Sequence, residues 1–279
     1  DHGIDLVAET ITGELWAIQA KAYASKYSIS KHDVDRFIAE SSRKDFSYRL
    51  LITTTDELHS SALRIINSLG DIGIIPLQTL LNSPLNWPDN LDFSFSKNHH
   101  IKIEKPLDHQ QEALDKMLND FEKYDRGQLI MACGTGKTNI GLWLSERMNA
   151  QKTLVLVPSI ALLNQTLKKW ARNASQTHPF CFLPVCSDET VNENDSMLSH
   201  IYELGFPTTT NHVEIGKFLQ KEERLVIFST YQSSPEIAKA CQLNPGVKFD
   251  LVIADEAHRC AGKVGTDFTI ILNQNQIPA

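Results

Sequence analysis

Leu251-Val252-Ile253-Ala254-Asp255-Glu256-Ala257-His258 ends an apolar run on two neighbouring acids. Upstream, Leu129-Ile130-Met131-Ala132 leads into the glycine turn Gly134-Thr135-Gly136-Lys137-Thr138. Each apolar run reads as a buried strand, and each is followed by chemistry at its C-terminal end. A glycine-rich turn that opens a helix exposes backbone N–H groups able to wrap phosphates, and Lys137 reaches toward β- and γ-phosphates. Thr138 puts a hydroxyl where Mg²⁺ would sit. Asp255 would hold the same ion, and Glu256 would orient or deprotonate the attacking water. A phosphate-binding turn and a strand closing on two acids are what nucleoside triphosphate hydrolysis requires. Taken singly, each motif has a plainer reading: a helix start with an incidental lysine, or an acidic helix N-terminus favoured by the helix dipole. Found together, in this order and each after a strand, they read as a site for ATP and Mg²⁺. Met131 departs from the usual pattern, which has a leading glycine there.

With these residues in hand the chain resembles the first RecA-like domain of a superfamily 2 helicase of the DEAH-box type. Gln110, in Asp108-His109-Gln110-Gln111-Glu112, matches the glutamine that reads adenine in that family, and His258 falls among the nucleotide-contacting residues of the DEAH motif. Leu156-Val157-Pro158-Ser159, followed by Leu162 and Gln165, is similar to motif Ia. Phe228-Ser229-Thr230-Tyr231-Gln232-Ser233 is similar to the next DNA-tracking motif. The resemblance implies DNA contacts from Pro158, Ser159, Gln165 and Thr230. Motif Ia also has a physical reading, because Pro158 stops a strand and Ser159 can cap the following helix. That helix start then offers N–H groups to a nucleic-acid phosphate.

The chain has 279 residues, 42% of them hydrophobic and 22% charged, which suits two globular domains. It opens on Asp1 rather than Met, as a fragment or a chain with a missing start would. No apolar run is long enough to cross a bilayer. Five cysteines (133, 181, 186, 241 and 260) give an odd count without CxxC spacing, which points to a reduced, cytoplasmic protein with neither a disulfide framework nor a zinc site. The net charge of −7 argues against a broad electrostatic coat for nucleic acid and leaves room for local contacts. Lys168-Lys169-Trp170-Ala171-Arg172 and Arg43-Lys44 read as solvated helix faces rather than DNA contacts.

The first eighty residues form a separate unit. Residues 3–9 alternate like a strand, Thr12-Gly13 reads as a turn and residues 14–20 as a second strand, so a hairpin is expected. Ser30, with Asp33 three residues on, predicts a helix start before the stripe Val34, Phe37, Ile38. A strand over 48–55, a helix over 60–69 stopped by Gly70, and a strand over 72–75 complete the order β-β-α-β-α-β. Asp5 lies on the first strand; Gln19 and Lys21, two apart on the second, share a face. An acid, a second oxygen ligand and a lysine converging on one spot can bind Mg²⁺ and steer water onto a phosphodiester. The same residue types also occur on any solvent-facing strand edge. The stretch is similar to the PD-(D/E)xK nuclease fold of the Mrr-like branch, where Gln replaces the acid before x-Lys. That resemblance implies Asp5, Gln19 and Lys21 as catalytic residues, with Asp1 and Glu9 as further possible ligands. The helix that precedes the hairpin in that family would lie before Asp1.

Residues 78–100 break periodicity and read as a linker, giving a nuclease domain over 1–80, a linker over 81–100 and a motor domain over 101–279. His99-His100 reads as loop, since adjacent residues on a strand point to opposite faces. In the motor, helices are expected over 108–124, 137–149, 160–174 and near 214–220, and strands over 128–132, 153–157, 182–186, 225–229 and 250–254. A polar insertion is expected over 187–210. Strands alternating with helices imply a parallel sheet with its site at the strand C-terminal ends. The fold class is thus α/β: a PD-(D/E)xK nuclease-like domain followed by a RecA-like parallel-sheet P-loop domain.

Asp255-Glu256-Ala257-His258-Arg259-Cys260-Ala261-Gly262 and the fusion order resemble the Type ISP restriction enzymes, single polypeptides joining an Mrr-like nuclease, a superfamily 2 translocase, a methyltransferase and target recognition. The resemblance implies ATP-driven movement on double-stranded DNA coupled to Mg²⁺-dependent cleavage. It also implies a second motor domain, a methyltransferase and target-recognition domains downstream. A motor subunit of a Type I restriction complex, and a DNA-binding ATPase remodeller with an inactive nuclease, are the alternative readings.

Overall fold

A computed structural model describes residues 3–9, 14–24, 26–42, 46–82, 103–132, 134–175, 177–187, 204–257, 273 and 275–279. The chain divides into two compact units, residues 1–95 with 187–208, and residues 96–186 with 209–279. Among the described residues no helix is long and apolar enough to cross a membrane.

In the first unit β1 (Leu6–Glu9) and β2 (Leu15–Lys21) pair antiparallel, Leu6 opposite Ile18 and Glu9 opposite Leu15. The expected hairpin is present; its turn at Thr12-Gly13 lies outside the described residues. β3 (Phe46–Thr53) joins parallel to β2, and β4 (Ile72–Ile75) parallel to β3, in the order β1-β2-β3-β4. Parallel neighbours need crossovers, and α1 (Lys31–Ser41) and α2 (Ser60–Leu69) supply them. α1 starts where the sequence predicts. The Asp33 carboxylate reaches back to accept from the Ser30 N–H at 2.8 Å and the Ser30 hydroxyl at 2.7 Å. α2 stops at Gly70, whose φ of 70° turns the chain left-handed. Ala17, Val34, Phe37, Leu51, Ile66 and Ile74 form the core between sheet and helices. Arg49 is buried; it donates to the Ser41 hydroxyl at 2.8 Å and the Ser41 carbonyl at 2.9 Å and pairs with Asp71. It thereby ties the end of α1 to β3 and the approach to β4. One expectation is corrected here. The stretch read as linker from Gln78 begins inside a short helix, α3 (Leu77–Leu81), entered from Pro76.

The second unit comprises α4 (Asp108–Phe121), α5 (Lys137–Arg147), β5 (Lys152–Val157), α6 (Ile160–Asn173), β6 (Cys181–Val185), α7 (His212–Leu219), β7 (Leu225–Thr230), α8 (Ser234–Leu243) and β8 (Leu251–Ala254). The sheet runs β6-β7-β5-β8 and is parallel throughout. Every residue of β7 is buried, as in a sheet covered on both faces. Two expectations change. Residues 128–132 keep a strand's alternation, with Leu129 and Met131 packed on the cluster around Leu251 and Ile130 82% exposed, yet form no strand. β8 pairs with β5 along one edge, and among the described residues no ladder runs along its other edge. Helix α8 was not expected. Its signals are Pro235 in the first turn and the stripe Ile237, Ala240, Cys241.

Candidate active site

The motor site is built at the C-terminal ends of β5 and β8 and the N-terminal turn of α5. Gly134 and Gly136 have φ of 77° and 85°, a left-handed backbone that L side chains adopt at a cost of roughly 1–2 kcal/mol. Gly136 is doubly constrained, because a Cβ there would sit 2.5 Å from the Gln110 amide nitrogen. Gln110 is buried, and both ends of its amide are engaged: Nε2 donates to the Thr135 carbonyl at 2.8 Å and Oε1 accepts from the Leu107 N–H at 2.9 Å. The residue expected to read adenine therefore braces the Gly134–Gly136 turn. The Thr135 hydroxyl donates to the Ala132 carbonyl at 2.7 Å, and Lys137 Nζ lies 3.5 Å from the Met131 carbonyl.

β8 delivers Asp255 and Glu256 to this end of the sheet. The Asp255 N–H donates to the Leu156 carbonyl at 2.8 Å, and the Tyr231 hydroxyl donates to the Asp255 carbonyl at 2.6 Å. Glu256 has φ of 53°, a strained conformation of the kind that clusters at functional sites. Ile253, two residues before Asp255, points at Gly141 one turn along α5, where an added Cβ would meet its Cδ1 at 3.1 Å. α5 thus lies directly against β8, with its N-terminal turn near the end of the strand. The Thr138 hydroxyl and the Asp255 carboxylate are hard oxygen donors suited to Mg²⁺, and Lys137 supplies positive charge for phosphate. His258 lies outside the described residues.

Sequence reasoning missed the support beneath this turn. Asn139 is 1% exposed; it donates to Glu104 at 2.5 Å and accepts from Asn173 at 3.3 Å, while the Glu104 N–H donates to Asn173 at 3.1 Å. Asn139 follows Lys137-Thr138 directly. A polar residue directly before the apolar stretch Ile140-Gly141-Leu142-Trp143-Leu144 was the available signal.

Of the expected DNA contacts, Ser159 caps α6, accepting from the Leu162 N–H at 3.3 Å, and Gln165 is exposed on the same helix. The other two are buried. Pro158 is buried at the end of β5. Thr230 is 0% exposed and its hydroxyl donates to Ser233 at 3.2 Å, so neither presents a group to a phosphate in this conformation.

In the nuclease unit the sheet register carries Asp5 to the position opposite Gln19, one step beyond the Leu6–Ile18 pair. The Asp5 N–H donates to the Ile18 carbonyl at 2.9 Å, and its carboxylate accepts from the Ala20 N–H at 2.7 Å. Gln19 is 3% exposed and its Nε2 donates to the Gly3 carbonyl at 2.5 Å. That bond aims Gln19 Oε1 away, and this oxygen is buried without a hydrogen-bond partner among the described residues. An orphaned buried oxygen beside a carboxylate fits a hard cation. Lys21 lies two residues on, half-buried, on the face of Gln19. Among the described residues no three His, Cys, Asp or Glu side chains converge. Glu9, at the far end of β1, is about 13 Å along the strand from Asp5 and stands apart from this site. Asp1 lies outside the described residues.

Residues 1–98 match the family model described as restriction endonuclease. Residues 103–278, more than half of the chain, match the model of the Type III restriction enzyme res subunit. The chain belongs to the res-subunit family. It is 31% identical over 227 residues to the probable helicase A859L of African swine fever virus (isolate Tick/Malawi/Lil 20-1/1983), covering 78% of this chain and 24% of that protein. The same helicase from strain Badajoz 1971 Vero-adapted is 30% identical over 236 residues. Among solved structures, the ATP-dependent Type ISP restriction-modification enzyme LlaBIII bound to DNA is similar with a TM-score of 0.82 and 34% identity, over 98% of this chain and 18% of that one. A nuclease-deletion mutant of the Type ISP enzyme LlaGI, in complex with a DNA substrate mimic, is similar with a TM-score of 0.50 and 35% identity, over 62% of this chain and 16% of that one. The resemblance to Type ISP enzymes read from the sequence is borne out, as is the nuclease-plus-motor α/β architecture. This res-subunit relative spans about a quarter of the length of the curated proteins it matches and less than a fifth of the solved chains.

Proposed function

We propose that the chain is the nuclease and first motor domain of an ATP-dependent DNA translocase-nuclease in a restriction-modification system. Residues 1–80 form the nuclease domain, 81–100 the linker and 101–279 the motor domain. It acts in the cytoplasm on double-stranded DNA, with downstream partners in a second motor domain, a methyltransferase and target-recognition domains. The observation that best supports this reading is the packing of the Lys137-bearing helix on the strand that leads into Asp255, through Gly141 and Ile253.

Lys137 neutralises charge on the β- and γ-phosphates, and the turn at Gly134–Gly136 binds phosphate oxygens through its N–H groups. Thr138 and Asp255 hold Mg²⁺, and Glu256 orients or deprotonates the water that attacks the γ-phosphate. Ser159 and Gln165 on α6 contact the DNA backbone. In the nuclease, Asp5 and Gln19 Oε1 bind Mg²⁺, and Lys21 holds the attacking water and offsets developing charge. When bound, Mg²⁺ supplies charge neutralisation at the nucleotide and polarises the scissile phosphodiester.

The test uses the full-length protein. Asp5→Ala leaves ATP hydrolysis and translocation intact and stops nicking; Lys137→Ala abolishes ATP binding, since only N–H donors remain. Unchanged nicking removes Asp5 from the site, and wild-type ATP turnover by K137A sinks the motor reading. A second reading, a DNA-binding remodeller whose nuclease unit is inactive, is favoured by the Asp5 carboxylate's bond to the Ala20 N–H, a contact that any strand-edge acid can make. Wild-type protein that translocates and never nicks would select it.

A further inference from the structure

Four elements of the motor unit meet at one indole. Trp170 of α6 is 1% exposed, and its Nε1–H donates to the Thr138 carbonyl on the first turn of α5 at 2.9 Å. The ring stands edge-on to Phe228 of β7, with centroids 5.4 Å apart and planes at 84°. Gly141 has no side chain at the point where Trp170 and Ile253 converge: an added Cβ would lie 3.2 Å from Trp170 Cζ2 and 3.1 Å from Ile253 Cδ1. One turn beyond, Asn173 of the same helix donates to Asn139 of α5. A single buried side chain therefore joins the helix that carries Ser159 and Gln165 to the helix that carries Lys137 and Thr138. It also packs on the strand ending at Thr230 and shares Gly141 with the strand that leads into Asp255.

We propose that Trp170 is a positioning residue that couples DNA engagement at the start of α6 to ATP turnover at the start of α5. The inference rests on the function proposed above. α6 has 14 residues and is about 21 Å long, so its DNA end and its Trp170 end move as one rod. The surroundings are close-packed and do not absorb a displacement. The indole transmits it to the Thr138 peptide, and the orientation of that peptide sets where the Thr138 hydroxyl points. Trp170 touches neither DNA nor nucleotide.

The test compares ATP hydrolysis by the full-length protein with and without duplex DNA. W170F removes the N–H donor and keeps an aromatic ring against Phe228. Basal turnover and DNA affinity are expected to persist, and the stimulation by DNA to fall at least about fivefold, the lower end of ordinary coupling between sites. A merely structural role lowers the melting temperature and the basal rate and leaves the stimulation ratio unchanged. G141A provides a second route, since its methyl displaces the indole and Ile253 by a few tenths of an ångström while deleting nothing; it too is expected to lower the ratio. Wild-type stimulation in both variants overturns the coupling and leaves the function standing. Wild-type protein without Lys137-dependent, DNA-stimulated hydrolysis overturns the function itself.

Discussion

Gly136→Ala asks how much of the phosphate-binding turn is held by its brace rather than by its own backbone. Two costs follow from the structure. A non-glycine residue at φ of 85° costs about 1–2 kcal/mol. The new methyl also lands 2.5 Å from Gln110 Nε2, an atom at the end of a side chain that both Thr135 and Leu107 hold in place. Moving that amide aside breaks two hydrogen bonds worth about 1 kcal/mol each. The substitution is therefore expected to destabilise the motor unit by about 3–4 kcal/mol. In a Gln110→Ala background the steric conflict is already gone, and the same change is expected to cost about 1–2 kcal/mol, the backbone share alone. The difference of about 2 kcal/mol is a coupling energy that a double-mutant cycle reads directly. Urea unfolding of the four proteins, followed by circular dichroism at a common slope, supplies the numbers. Equal costs in both backgrounds would refute the idea that Gln110 braces the turn.

Three further outcomes follow from the packing. Arg49→Met is expected to destabilise the nuclease unit by about 2 kcal/mol, less than the loss of a fully buried ion pair because the Asp71 side chain is 41% exposed; a urea midpoint within error of wild type would contradict it. Ser30→Ala is expected to cost about 1 kcal/mol at the start of α1, read as a lower melting temperature, since Asp33 loses one of its two bonds to residue 30. Burial pushes the Cys241 thiol up from 9.0 to about 11, so the unfolded chain ionises before the folded one. Its contribution to stability is complete below pH 9 and is lost as the pH rises toward 11. Chemical denaturation across that window is expected to show a steeper decline for wild type than for Cys241→Ala, and parallel curves would exclude the effect.

The order of elements was legible because it rests on local chemistry. Ser30 with Asp33, Gly70, Ser159 and the glycines of the phosphate turn each fix a boundary through a hydrogen bond or a backbone angle set within a few residues. The apolar runs that became β5 and β7 are buried on both faces, as strands of a covered parallel sheet are. Where pairing decided the outcome, the sequence misled: residues 128–132 alternate like a strand, but a strand also needs a neighbouring ladder, which no local pattern supplies. α8 went unseen although Pro235 and the stripe Ile237, Ala240, Cys241 marked a helix.

The candidate sites divide in the same way. Residue types and spacing named Asp5, Gln19, Lys21, Lys137, Thr138 and Asp255 from the sequence alone, because charge and ligand chemistry belong to the side chains themselves. Tertiary structure alone decided which groups are spoken for. Gln110 became a brace, Thr230 a buried hydroxyl, Gln19 a carrier of one orphaned oxygen, and Trp170 the meeting point of four elements. Hydrogen-bond partners and burial are set by residues tens of positions away in the chain, so only the folded packing assigns them.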